Sequence, residues 1–449
     1  MINRPNVVVI VSHDTGRHFG CYGVPTVQTP AIDAFAADGC RFTRMYGTSP
    51  ICSPSRGSLM TGRWPQRNGL MGLAGGKRGG AFGWDFNDPE QHLSHVLRKA
   101  GYETAMIGYH HEAIDLGTLG FDHVVRGAGE QAKFHTAPGV GERCAEFFRQ
   151  RRGDRPFYLQ TGFLETHTPY NGQGIPPDSA KGLWLPPWCR VENPDDAMQA
   201  HVAGLQGSVR SLDTGVGIIL ESLRASGLED NTLVVFTVDH GPELPRGKWT
   251  GYDGGIGVAF VMRWPAGGIS GGRTCDAMLS NVDFLPTLKE LTGTPLTHAP
   301  DGVSFAGLAR GTEVESQRHW LGAMFVGLHY EVRTERYKLI HNFRGSYHQP
   351  PPGATEHTNP VAELYDLDSD PLEIHNLAYE SAHAGARREM SGILRNWLES
   401  VDDPILRGPV SGPGVTFGDP DDRYRESLAE YREWTGCQAS NSKDRRRGP

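Results

Sequence analysis

The chain has 449 residues, 38% of them hydrophobic and 21% charged, enough to bury a large core and to build two or three domains. With 52 acidic against 44 basic residues the net charge is −8, which removes any bulk electrostatic case for nucleic-acid binding. No stretch reaches the ~18 consecutive apolar residues of a membrane-spanning helix, and 58 glycines point to long irregular loops.

The opening "MINRPNVVVIVSHD" has a short apolar run that ends in His-Asp rather than in small residues and a cleavage site. It reads as a buried strand and not as a secretory leader, so a cytoplasmic protein is the expectation. Four segments share one grammar, an apolar β-branched run that stops at polar, ligand-type residues: "NVVVIVSHD" (6–14), "YETAMIGYHHE" (102–112), "FYLQTGFLETHTPY" (157–170) and "TLVVFTVDHGPE" (232–243). Helix-compatible stretches lie between them, among them "TPAIDAFAADG", "QHLSHVLRKAG", "GERCAEFFRQRR" and "AHVAGLQGSVRSLDTGVGIILESLRASG". This alternation predicts an α/β fold with a largely parallel, helix-covered sheet. Ligands of such sheets bind beyond the carboxyl ends of the strands, where all four segments place Asp, His or Glu.

A fifth strand, "VAFVMRWP" (258–265), precedes a helix, "NVDFLPTLKELTG" (281–293). After about residue 315 the texture changes. "WLGAMFVGLHYEVRTERYKLIHNF" reads as short antiparallel strands, "ELYDLDSDPLEIHNLA" as a strand and turn, and "AGARREMSGILRNWLESV" as an amphipathic helix. The expected layout is a catalytic α/β domain over 1–315, a C-terminal α+β subdomain over 316–435 and a disordered basic tail over 436–449. "HQPPPGATEHTNP" (348–360) is a Pro-rich loop, and no internal repeat is visible. The seven cysteines (21, 40, 52, 144, 189, 275 and 437) are scattered, odd in number and free of C-x-x-C, which argues against a disulfide framework or a structural zinc site.

Asp14 and Asp239 each close an apolar strand, and each has a histidine beside it, His13 and His240. Either pair alone serves equally well as a strand-end turn. Two carboxylates brought from different strands to one sheet edge, however, repel each other unless a cation sits between them, and a divalent metal is the natural answer.

The segment "CSPSRGSLMTGR" (52–63) resembles the signature C-x-P-S-R-x-x-x-[LM]-T-G-R of the type I, formylglycine-dependent sulfatases of the alkaline phosphatase superfamily. Similar matches run along nearly the whole chain: "NVVVIVSHDTGRHFGCYG", "TPAIDAFAADGCRFTRMYGTSPICSPSR", "TVDHGPE", "GKWTGYDGGIGVAFVMRWPAG", "NVDFLPTLKELTG" and "ELYDLDSDPLEIHNLA". The resemblance implies an alkaline-phosphatase-like fold, in which a large mixed, mostly parallel sheet is sandwiched by helices and followed by a smaller C-terminal α+β subdomain. It further implies hydrolysis of sulfate esters or sulfamates. Cys52 would then be the precursor of formylglycine, made by a maturation enzyme whose recognition sequence includes Pro54 and Ser55, and the hydrated gem-diol would be the nucleophile. The chemistry is coherent: a gem-diol oxygen suits a hard divalent cation better than a thiol, and its second hydroxyl lets the sulfate ester collapse to aldehyde. Arg56 would brace the hydrate.

By the same resemblance Asp14, Asp239 and His240 are metal ligands together with residue 52, and calcium is the expected ion. His240 stands where many sulfatases carry asparagine. His13 departs from the usual Asp-Asp; as a ligand its imidazole leans toward manganese, zinc or iron, and the alternative is that it points away from the metal. Lys248 takes the place of the sulfate-binding lysine. His167 matches the strand-end histidine that contacts sulfate or protonates the leaving atom, and His111 matches the histidine of the G-K-x-H segment. Tyr109 replaces that segment's lysine, with His110 beside it.

"GRWPQRNGLMGL" resembles the heparan N-sulfatase (sulfamidase) subgroup, which favours a sulfated sugar, such as an N-sulfoglucosamine, or a small sulfate ester. "GLWLPPWCR" (182–190) is a candidate pocket rim or simply surface packing. The competing readings are a phosphonate or phosphate ester hydrolase on the same site, favoured by His240 and Tyr109, and a catalytically silent binding protein carrying an unmodified Cys52. A homo-oligomer is left open.

Overall fold

The computed structural model describes residues 4–76, 81–125, 136–151, 153–170, 174–343, 360–410, 412–413 and 422–436. The basic tail, Cys437 and nearly all of the Pro-rich loop lie outside these described residues.

Strands are numbered in chain order. The first eleven are β1 (Asn6–Ser12), β2 (Cys40–Tyr46), β3 (Leu73–Ala74), β4 (Phe82–Trp84), β5 (Glu103–Gly108), β6 (His123–Val125), β7 (Phe157–Gly162), β8 (Thr232–Val238), β9 (Gly257–Arg263), β10 (Arg273–Cys275) and β11 (Leu279–Ser280). β3 and β4 pair with each other, and the rest form one sheet in the order β10-β2-β9-β8-β1-β7-β5-β6, with β11 also beside β2. The four segments singled out in the sequence are the consecutive neighbours β8-β1-β7-β5, and all four run parallel. Their carboxyl ends meet at one edge, where Ser12 is level with Val238 and Gly108 with Gly162. The fifth predicted strand, β9, runs antiparallel to both β8 and β2, so the sheet is mixed.

Residues Val7 to Val11 are all fully buried. Successive strand residues face opposite sides, so both faces of the sheet are covered, as the unbroken β-branched run requires. Helices Pro30–Asp38 and Ala137–Gln150 both pack on Asp196–Ala225, and the helix Cys52–Thr61 packs on Phe284–Thr292. Gly62 ends the Cys52 helix at φ +65°, its N–H donating to Ser58 O. The "TGR" of the signature is thus in part a helix C-cap, a left-handed position that glycine takes without penalty.

The last four strands, β12 (Leu321–Phe325), β13 (His329–Arg333), β14 (Tyr337–Asn342) and β15 (Ala362–Asp366), form an antiparallel sheet in that order. Helix Ala384–Ser400 packs on β13 and β14 through Trp397, which lies edge-on to Tyr330. This sheet grips the segment that follows β8. Lys338 Nζ donates to Asp253 and Glu373 at 2.6 Å each, Tyr252 donates to Glu363 at 2.6 Å, and His329 Nε2 donates to Trp249 O at 3.1 Å. Arg246 donates to Leu372 O at 2.8 Å. Among the described residues, no helix is long and apolar enough to cross a membrane.

Candidate active site

β1 ends at Ser12, and the chain then turns through Asp14 at φ +42°, a left-handed conformation that aspartate tolerates better than most residues. That turn lays the Asp14 carboxylate beside the end of β8, where Asp239 and His240 follow. Asp14 N donates to Asp239 Oδ1 at 2.9 Å, and Asp14 Oδ1 lies 3.0 Å from His240 Nε2. His13 Nδ1 is hydrogen-bonded to Asp14 Oδ1 and lies 3.5 Å from Asp239 Oδ2. Cys52, the first residue of its helix, brings Sγ to 3.4 Å from His240 Nε2 and 4.0 Å from Asp14 Oδ1. One ligand-type atom from each of His13, Asp14, Cys52, Asp239 and His240 fits within 4.8 Å of all the others, and all five residues are buried.

The electrostatics of this cluster are those of charges packed without solvent. Burial pushes the His13 imidazole down, but Asp14, Cys52 and Asp239 outweigh it and raise it to about 9. Burial pushes Asp14 up, yet His13, Lys248 and His240 hold it well below the usual carboxylate range. Burial likewise raises Cys52, and His13 and His240 more than reverse the effect. Two dry carboxylates thus already draw every available cation toward them. Two carboxylates, two imidazoles and residue 52 make a donor set that fits a divalent ion.

Arg56, fully buried one helical turn after Cys52, donates through Nε to Asp239 Oδ2 at 2.9 Å and through Nη2 to Ser12 O at 3.3 Å. Its Nη1 faces Glu112 Oε1 at 3.5 Å. Lys248 Nζ donates to Asp14 Oδ2 at 2.5 Å and to His167 Nε2 at 3.4 Å. His167 Nδ1 donates to Thr168 O at 2.6 Å, which fixes its proton there and leaves Nε2 as the acceptor for Lys248. The His167 side chain is 35% exposed whereas that of Lys248 is 2%, so the site is reached from the His167 side. His111 Nε2 donates to Ala74 O at 3.0 Å, and its ring centroid is 6.3 Å from that of His13. The Tyr109 ring, where a lysine was expected, lies 5.1 Å from His13 and 5.8 Å from the Arg56 guanidinium. His110 faces Glu112 at 3.8 Å. Every site residue named from the sequence therefore lies at this one sheet edge.

Sequence reasoning passed over two acidic residues. Glu112 was visible only as the last letter of "GYHHE". It is fully buried, accepts from Gln160 Nε2 at 3.0 Å and from His111 N at 2.9 Å, and pairs with Arg56. Glu112→Gln should keep the neutral contacts and weaken the grip on Arg56, lowering stability by about 1.5–3 kcal/mol in denaturant unfolding. An unchanged midpoint would show that Asp239 alone suffices.

Glu165, two residues before His167, is 2% exposed, and both of its carboxylate oxygens lack a hydrogen-bond partner among the described residues. Burial pushes it up to about 8. A carboxyl raised in the folded state opposes folding once the unfolded chain has released its proton. Its destabilising effect should therefore grow as pH rises from the ordinary carboxyl value and level off near pH 8. Glu165→Gln should raise Tm over wild type progressively across that window, and a pH-independent difference would refute the shift.

Parallel strands that deliver buried carboxylates, imidazoles, an arginine, a lysine and a helix-borne residue 52 to one edge define a metal-assisted ester hydrolase. The sulfatase family profile matches residues 5–294, and that of the N-sulphoglucosamine sulphohydrolase C-terminal region matches 247–399. The chain belongs to the sulfatase family and is a sulfuric ester hydrolase. It is 28% identical to an ulvan-active sulfatase of Formosa agariphila, over 92% of this chain and 84% of that one. It is 24% identical to human N-sulphoglucosamine sulphohydrolase, over 90% and 92%. Among solved structures it resembles a protein in complex with its substrate D-glucosamine-2-N,6-O-disulfate, with TM-score 0.70 and 19% identity over 93% of this chain and 99% of that one. The phosphonate monoester hydrolase of Agrobacterium radiobacter gives TM-score 0.67 and 21% identity over 89% and 95%. The fold is thus the alkaline-phosphatase-like one shared by these enzymes.

Proposed function

We propose that the chain hydrolyses the sulfate ester or sulfamate of a sulfated saccharide, with an N-sulfoglucosamine as the first candidate. The nucleophile is a formylglycine hydrate formed from Cys52. The observation that carries this reading is the position of Cys52. It is buried at a helix start, within 4.0 Å of Asp14 and His240, in a sequence that matches the sulfatase signature. The saccharide class is supported by the sulfamidase-type C-terminal match and by the sugar-directed relatives.

In this reading a maturation enzyme and an external oxidant remove the thiol and leave Cβ as an aldehyde, which adds water. A divalent ion held by Asp14, Asp239, His240, His13 and residue 52 would offset the charge that builds on the attacking and sulfuryl oxygens. One hydroxyl of the hydrate gives its proton to Asp14, whose Oδ1 lies 4.0 Å from Cys52 Sγ, and attacks sulfur, and the bond from sulfur to the sugar oxygen or nitrogen breaks with its electron pair. Lys248 Nζ supplies the leaving atom's proton, and His167 Nε2, which accepts from it, holds that ammonium in place. Arg56 holds Asp239 in place through the cycle. The second hydroxyl then gives up its proton to His111, whose Nε2 proton is held by Ala74 O, the carbon–oxygen bond to sulfate breaks, and the aldehyde returns to be hydrated again.

Tyr109 supports a second reading. With tyrosine in place of a lysine, the site has fewer cations than a dianionic phosphate monoester calls for, but it suits singly charged sulfate monoesters and phosphonate monoesters alike. Initial rates on aryl sulfate, glucosamine N-sulfate and aryl phosphonate separate the two. Faster turnover of the sulfated compounds is expected. Equal or faster turnover of the phosphonate would overturn the proposal. We also propose the boundary near 315 as the limit of the catalytic domain, with the C-terminal sheet acting as the clamp on the Lys248 segment.

A further inference from the structure

We infer that His13 makes this a nitrogen-rich metal site that selects a first-row transition ion, such as manganese, iron(II) or zinc, over calcium. The choice presupposes the sulfatase reading of the site and adds to it the class of ion.

The donor atoms support this in two ways. The first is the supply of oxygens. Calcium takes six to eight oxygen ligands, whereas the cluster's two carboxylates hold four oxygens, most of them already engaged, and a hydrate at residue 52 adds at most two. Asp14 Oδ2 accepts from Lys248, Asp239 Oδ2 from Arg56, and Asp239 Oδ1 from the backbone N–H groups of Asp14 and His240. Asp14 Oδ1 is the one carboxylate oxygen of the cluster that meets only imidazoles and Cys52.

The second is the placement of nitrogen. His13 Nδ1 reaches both Asp14 and Asp239, and His240 Nε2 reaches the same two carboxylates at 3.0 and 3.7 Å. The two rings stand 6.1 Å apart and nearly perpendicular. His240 Nδ1 donates to Gly241 O at 2.9 Å, which leaves Nε2 with its lone pair toward the cluster, the usual arrangement of a ligating histidine. Both histidines are fully buried. Two imidazoles and two carboxylates are a donor set for manganese, iron or zinc, and a poor one for an ion that seeks oxygen.

The test is metal competition on full-length protein. Protein stripped with a chelator is dialysed against equal calcium, manganese and zinc, desalted, and analysed by elemental mass spectrometry. Wild type should retain manganese or zinc near stoichiometry and little calcium. His13→Asp should shift retention toward calcium and weaken transition-metal binding by about 10–100-fold. Zinc X-ray absorption on wild type needs no variant and should show two imidazole nitrogens. Preferential calcium retention, or a single imidazole in that spectrum, would overturn the role of His13 while leaving the sulfatase site standing. Retention of no divalent ion by protein whose circular dichroism is native would instead overturn the site reading itself.

Discussion

Cys52→Ala should abolish sulfatase turnover, with a loss on the order of 10⁴-fold or more in kcat, because it removes the proposed nucleophile and not merely a helper. The fold should survive, since the side chain it deletes is small and alanine fits at the start of a helix. Cys52→Ser is the more informative variant. A serine hydroxyl can attack sulfur, but it has no second hydroxyl to expel sulfate, so the reaction should stall as a covalent sulfate ester. Mass spectrometry should then find the peptide containing residue 52 heavier by one sulfuryl group after exposure to substrate. A serine variant that turns over continuously would remove the need for a hydrate and with it the proposed second step.

Asp239→Asn should have an effect of comparable size by a different route. One oxygen of Asp239 orders the backbone of Asp14 and His240, and the other holds Arg56 at 2.9 Å. Loss of the charge removes a proposed metal ligand and leaves a fully buried guanidinium with Glu112 as its remaining carboxylate. Removing one partner of a buried ion pair costs about 3–5 kcal/mol. Elemental analysis should show loss of bound metal, turnover should fall by at least about 10³-fold, and the denaturation midpoint should drop. Near-normal activity with bound metal retained would refute the assignment of Asp239 as a ligand.

The strand ends were legible in the sequence because the sheet core demands unbroken β-branched runs, and a parallel sheet collects its ligands where those runs stop. Val7 to Val11 and Thr232 to Val238 announce themselves in this way, and the polar residues after them fall into the site. Helix starts were less legible. The helix Asp196–Ala225 begins several residues before its apolar pattern does, because the Asp195 side chain caps it by accepting from Met198 N. The helix Ala137–Gln150 likewise begins early, capped by Thr136.

What periodicity could not reveal is pairing across long separations. Nothing near Arg56 in the chain points to Glu112. Nothing near Lys248 points to Lys338, Glu363 or Glu373, which hold the segment around Asp253 from the C-terminal sheet. Backbone strain was hidden as well. Trp249 at φ +75° and Val326 at φ +48° adopt left-handed conformations that bulky and β-branched residues avoid. Trp249 flanks Lys248, and its ring lies 5.6 Å from that of Phe325, the residue before Val326. Strained residues at such a place persist because the packing around them fixes the geometry, here of the loop that carries Lys248.

The central claim is that residue 52 does not work as a cysteine. Mass spectrometry of the peptide containing residue 52, from protein purified out of its native host, tests it most directly. The mass of an aldehyde or its hydrate at position 52 is the predicted result, and an intact thiol throughout the active protein would contradict it.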